Sequence, residues 1–277
     1  MTIAFLVISA VTVPAFLALK PKPQGDMILH DADLSYAELQ KVPLQRWHGL
    51  STKRIYFGHK SVGAEVLIGV KDLQAELQQI NLRIFHGDPA SLHDNSGLAE
   101  SSIGANFDPE SKIDDFAAKL LAAGPNATDV AIMKFCYVDI DRNTDVGKLF
   151  AGYKATIANL QEKLPQTTLI HCTVPLTSRH NSLKAVAKRL LRRAQDSSQD
   201  NLSRERFNEM MRAEYRGKQA IIDIAAVEST LPDGQKVSDG GIPCLAACYT
   251  YDGGHLNEVG RRVVATEFLR VLAGLSH

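Results

Sequence analysis

Apolar positions along the chain fall into two alternating patterns. Short runs rich in β-branched and aromatic residues occur at 54–57 (RIYF), 82–86 (LRIFH), 130–136 (VAIMKFC), 168–174 (TLIHCTV) and 220–225 (AIIDIA). Between most of them, apolar residues recur at helical spacing: 64–80, 112–123, 145–164, 182–195 and 202–216, with a last such stretch at 256–274. The first pattern reads as strands and the second as helices. Their alternation predicts a parallel sheet with helices on both faces. About five strands predict a three-layer α/β/α, flavodoxin-like parallel sheet. The polar stretch 87–111 (GDPASLHDNSGLAESSIGANFDPES) reads as a long loop at the carboxyl edge of that sheet. Loops of that length in a compact domain are usually functional or mobile. No internal repeat is visible.

The opening residues break the pattern. MTIAFLVISAVTVPAFLAL carries no charged side chain before Lys20 and is about as long as a short membrane span. It reads as a signal peptide or an uncleaved anchor, the alternative being a buried first helix. The division that follows is 1–24 as signal or anchor, 25–50 as a linker with a short helix, and 51–277 as the main domain. Export places that domain outside the cytoplasm, whether periplasmic, secreted or tied to a membrane through the N-terminal segment.

Composition narrows the partners. The chain has 277 residues, 31 basic and 31 acidic, with 45% hydrophobic residues. Zero formal charge supplies no field for nucleic acid, so that partner is not expected. The basic stretch RHNSLKAVAKRLLRRAQDSSQDNLSRERF reads first as a solvated helix face and second as a docking surface for an anionic polymer or lipid. Of four cysteines, Cys136 and Cys172 sit in apolar runs and read as core residues. Cys244 and Cys248 share one loop and could pair in an oxidising compartment. No second Cys or His pair stands at ligand spacing, so neither metal nor other cofactor is expected.

Two short stretches carry candidate chemistry. In RIYFGHKSVG, a strand stops at a glycine and Ser61 stands where a helix begins. Such a serine is either an N-cap or a hydroxyl lifted to the carboxyl edge of the sheet, where α/β proteins hold their sites. In YTYDGGHLNEVG, Asp252 and His255 lie three apart in a Gly-rich turn before the last helix. A base that takes a proton from serine needs its other ring nitrogen held by an acceptor, and Asp252 could supply it. Lys60 beside Ser61 is a poor partner, because adjacent residues in an extended turn point apart. His86, His93, His171 and His180 are scattered and read as structural or exposed. Tyr249 and Tyr251 flank the D-x-x-H turn and suit either a sugar site or core packing.

These stretches resemble the SGNH (GDSL-type) hydrolases, a group of esterases, lipases and carbohydrate deacetylases. DGGHLNEVG matches the family's last block closely, and FGHKSVG has the position of its first block without the usual Gly-Asp-Ser letters. The resemblance implies Ser61 as nucleophile, His255 as general base and Asp252 as its orienting partner. SSIGANFDP is the best match to the second block, which implies Gly104 N–H as an oxyanion donor with Asn106 beside it. The third block departs from the family: MKFCYVDIDRN has no Asn at the expected place, leaving Tyr137 as a hydroxyl donor. Asp139 could order that loop or bind a substrate hydroxyl, and His59 reads as a loop residue at the pocket rim, the alternatives being a substrate contact or a residue supporting the site from behind. The implied function is exported ester hydrolysis, with an acyl or acetyl group removed from a carbohydrate or other small ester. The alternatives are an O-acyltransferase using the same triad and a non-catalytic carbohydrate-binding relative.

Overall fold

The computed structural model describes residues 36–179 and 197–275. The N-terminal apolar segment, His180 and the helix expected over 182–195 lie outside the described residues. Six parallel strands form the sheet: β1 (Arg54–His59), β2 (Ile84–His86), β3 (Gly97–Ser102), β4 (Val130–Met133), β5 (Thr168–Cys172) and β6 (Ile221–Ile222). Their order is β2-β3-β1-β4-β5-β6. With the short edge strand β2 set aside, the order is the 2-1-3-4-5 of flavodoxin-like sheets.

The extra strand corrects the expected count and the expected loop. Residues 87–111 contain β3, which pairs with β1 on one side and β2 on the other. GLAESS has little β propensity of its own. Its backbone is fixed instead by two neighbouring strands, and its Gly97, Leu98 and Ala99 are buried.

Helices cover both faces. On one lie α3 (Val62–Glu76) and α8 (Glu258–Gly274); on the other lie α4 (Pro109–Ala123), α5 (Val146–Lys163) and α6 (Ser197–Tyr215). Alternation along each strand divides the core. Ile55, Phe57, Val130 and Ile132 pack with Val66, Val70, Val264 and Phe268. Tyr56, Ala131 and Met133 pack with Phe116, Phe150 and Phe207 on the opposite face. Burial on both faces makes these strands read as continuous apolar runs. Asp108 and Asp145 cap α4 and α5, accepting from Ser111 N–H and Lys148 N–H.

Among the described residues two helices precede β1, α1 (Ala37–Gln40) and α2 (Leu44–Ser51). Their Leu39, Trp47 and Leu50 are buried in the α3/α8 core, so this part of the expected linker is packed body. A small hairpin, β7 (Ser238–Asp239) with β8 (Ile242–Pro243), follows the short helix α7 (Ile224–Glu228). All four cysteines are free, so Cys244 and Cys248 are not paired. Among the described residues no helix is long and apolar enough to cross a membrane.

The α3–α8 contact is tight at Gly69, where a Cβ would collide with the Arg261 carbonyl oxygen. Backbone cannot yield as a side-chain tip can. Gly69→Ala is therefore expected to destabilise the fold by about 1–3 kcal/mol, read as a lower urea midpoint at unchanged slope.

Candidate active site

Ser61 sits two residues past β1, at the entrance to α3. Its backbone has φ +50° and ψ −111°, a left-handed φ that a residue with a Cβ rarely adopts. Such conformations cost on the order of 1–3 kcal/mol and persist only when the surroundings enforce them. The side chain makes no capping bond. Its Oγ instead lies 2.7 Å from His255 Nε2. The Ser61 N–H, at the positive end of α3, has no partner among the described residues.

His255 is held from several sides. Its Nδ1 meets Asp252 Oδ2 at 2.7 Å. Asp252 Oδ1 accepts from Gly254 N–H (2.9 Å) and His255 N–H (2.8 Å). Burial acts to raise the Asp252 carboxyl, but the bonds from His255 and Gly254 outweigh it and hold the group below the usual carboxylate range. An ionised Asp252 fixes the His255 proton on Nδ1 and leaves Nε2 as the acceptor facing Ser61. The Tyr251 ring stacks on His255 at 6.0 Å, and the Tyr137 ring meets it edge-on at 5.7 Å. Tyr249, by contrast, is a core residue whose hydroxyl donates to the Thr230 carbonyl. Asn257 caps α8.

Glu65, which sequence reasoning missed, ties the two halves of the site together. Its Oε2 accepts from Leu256 N–H at 2.8 Å, and its Oε1 faces the Tyr251 hydroxyl at 3.4 Å. One signal was available: Glu65 lies four residues after Ser61, on the same helix face.

Three expected roles are corrected by the geometry. Gly104 N–H already donates to Asp115 Oδ2 at 2.9 Å, so it is not free for an oxyanion. His59 is not at the rim: it is 5% exposed, lies under Gly63 and bonds Glu100 through Nε2. Burial and the Lys134 charge push its pKa down to about 3, so the ring is neutral. Asp139 cannot bind substrate, because it is buried with both oxygens engaged. It pairs with the fully buried Lys112 at 2.5 Å and accepts from Phe107 N–H and Cys136 N–H. It orders the loop.

Asn106 and Tyr137 keep donors that have no partner among the described residues. Lys112 Nζ holds Asn106 Oδ1 at 3.0 Å, which turns the amide NH2 away from that lysine. The Tyr137 hydroxyl lies against Gly254 and has no partner among the described residues. Of the other histidines, His171 is buried between Tyr153 and Gln219, while His86 and His93 make surface bonds. No bond joins Lys60 Nζ to Ser61 among the described residues.

The serine after β1, the Asp–His turn before α8 and the 2-1-3-4-5 sheet form one pattern. The chain path is that of a flavodoxin-like sheet, and several solved GDSL-type proteins are similar to it. A GDSL-like lipase from Bacteroides thetaiotaomicron is 12% identical, with 87% of this chain and 98% of that one covered at a TM-score of 0.49. An acetyl esterase solved with acetate is 11% identical, with 80% and 99% covered at 0.44. A Lactobacillus plantarum protein is 18% identical, with 81% and 98% covered at 0.46. No protein-family model and no curated protein matches the chain. Likeness at this level concerns chain path; the chemistry of the site is read from its own side chains.

Two buried groups near the site give testable consequences. Removing the Asp139 carboxylate leaves Lys112 an uncompensated buried charge. Asp139→Ala is expected to cost about 3–5 kcal/mol, measured by urea unfolding. Glu228 is fully buried; its Oε1 accepts from Leu176 N–H and its Oε2 has no partner. Burial pushes its pKa from the ordinary 4.5 up to about 8, against the opposing Leu176 N–H and Lys134 charge. A carboxyl raised on folding stabilises fully below its unfolded value, and that contribution is lost as pH rises through the folded value. Melting temperatures between pH 4.5 and 8 should therefore fall more steeply in the wild type than in Glu228→Gln.

Proposed function

We infer that the protein is a serine ester hydrolase of the SGNH type. The observation that carries this reading is the continuous relay from Ser61 Oγ to His255 Nε2 and from His255 Nδ1 to Asp252, both steps at 2.7 Å. In it, Ser61 Oγ attacks the ester carbonyl as its proton passes to His255 Nε2. The negative charge on the carbonyl oxygen falls within reach of the Ser61 N–H, and the amide of Asn106 supplies a second donor. His255 then protonates the departing alcohol, leaving an acyl-enzyme on Ser61. Water, deprotonated by His255, releases the acid and restores the serine. Donors aimed at the developing oxyanion usually do more than any other group to lower the barrier of such reactions.

The preferred substrate is a short acyl group, most simply acetyl, on a carbohydrate or other small ester. The apolar opening residues support action outside the cytoplasm, with membrane association through that segment. Transfer of the acyl group to a sugar hydroxyl is the rival outcome when an acceptor is present, and product analysis separates the two.

The full chain should hydrolyse p-nitrophenyl acetate and be labelled by a serine-reactive phosphonate. Ser61→Ala and His255→Ala should fall to background while remaining folded. Asp252→Asn, which removes the acceptor for the His255 proton, should lower kcat by about 10²–10⁴-fold. A wild type that neither turns over the ester nor takes the phosphonate would overturn the hydrolase reading and favour a binding protein.

A further inference from the structure

A cavity of about 260 Å³ opens beside the Asp252–Gly254 turn, walled in part by Phe107, Tyr137, Thr177, Asp200 and Arg204. Drug-sized sites span ~300–1,000 Å³, so this one has room for a single ring rather than a long chain. Its polar wall is incompletely paired. Arg204 is 4% exposed. Its Nε donates to the carbonyls of Tyr137 and Ile140, and its Nη1 to Thr177 Oγ1 and Asn201 Oδ1. Nη2, with two N–H groups, has no partner among the described residues. Asp200 holds Arg142 through Oδ1, while its Oδ2 also lacks a partner there. Both residues are largely buried, yet each turns one unpaired polar edge to the same cavity, and the pair suits something that both accepts and donates.

The mouth carries a second, independent feature. Phe107 is 77% exposed and has φ +66°. An exposed aromatic gains nothing from water, and a left-handed backbone is strained for a residue of that size. It is nevertheless fixed, because its N–H donates to Asp139 Oδ1 at 3.1 Å and Asp139 is locked to Lys112. The fold thus holds a bare aromatic face at the entrance to a polar cavity.

We propose that this cavity binds a neutral pyranose ring, the alcohol side of the ester, with Arg204 Nη2 and Asp200 Oδ2 gripping its hydroxyls and Phe107 under its C–H face. A hydroxyl can accept from the first and donate to the second. The electron-rich ring face attracts the weakly positive C–H edge of a sugar. Asp141, Asp200 and Asp252 all line the cavity against one arginine, so the walls are acidic and disfavour a ring that bears a carboxylate. Placing the ring on the alcohol side rests on Ser61 being the nucleophile; binding of the ring does not require turnover.

The test is calorimetric titration of the full-length Ser61→Ala protein with methyl β-glucoside, methyl β-galactoside, methyl β-N-acetylglucosaminide and methyl β-glucuronoside. At least one neutral glycoside should bind more tightly than the glucuronoside. Phe107→Ala, a surface change, and Asp200→Asn should each weaken that binding about tenfold, equal to ~1.4 kcal/mol. If Asp200→Asn fails to fold, Phe107→Ala alone decides. Absence of binding by every neutral glycoside, binding indifferent to Phe107→Ala, or preference for the glucuronoside would each overturn the proposal. Turnover of p-nitrophenyl acetate without any ring binding would sink the cavity assignment and leave the hydrolase standing. Ring binding by a protein inert to the ester and the phosphonate would do the reverse.

Discussion

The contact between α3 and α8 is what the candidate site depends on. Ser61 heads one helix and the Asp252–His255 turn leads into the other, the serine and the histidine standing 194 positions apart. A relay of 2.7 Å bonds tolerates little movement of one helix against the other. The interface is built accordingly. Gly69 lets the helices approach at one point, Arg262 clamps Glu76 with two bonds, and Arg261 reaches Asp72. Glu65 adds a direct tie to the turn itself. The exposed ion pairs contribute little energy singly; their effect here is to fix the offset of the two helices.

Beneath the turn, the carboxyl edge of the sheet carries an unusual row. Lys134 follows β4 directly, its N–H donating to the Gly58 carbonyl, and its charge acts on both His59 and Cys172. All three are buried, and Lys134 Nζ donates to the Phe135 carbonyl. Farther along, Glu228 brings a carboxyl whose ionisation burial opposes. Such a row would destabilise an ordinary core. One member, His59, lies two residues before Ser61 and packs against Gly63, so polarity as well as packing surrounds the serine turn.

Much of this was legible in the sequence, and the limits have physical causes. Strand–helix alternation reports burial on two faces, so the layers and the edge bearing Ser61 could be read directly. The Gly-rich Asp–His turn announced itself because its partners are three residues apart. What failed were assignments needing a partner from elsewhere. Gly104 looked like a donor until Asp115, eleven residues on, took its N–H. Asp139 admits two roles in the sequence, loop ordering and a substrate contact, and Lys112 against it leaves only the first; a lysine on the apolar face of α4 beside Ile113 and Phe116 was a signal. Arg204 belonged to a stretch that read as a solvated face, yet it is buried under Tyr137. β3 was lost because Gly-Leu-Ala-Glu-Ser-Ser is a strand only by virtue of its neighbours.

The distance along the chain between Ser61 and His255 also orders events in time. A chain made only as far as Tyr215 already holds five of the six strands, the strained serine turn and α3. Its Ser61 then has no His255 to meet, and the α3 face that α8 later covers is open to water. Local contacts form early and distant ones late, so the relay is among the last contacts the nascent domain can make. Until then Ser61 stands without the contact that fixes its hydroxyl, and the apolar face of α3 that α8 will cover lies on the same helix that Ser61 heads.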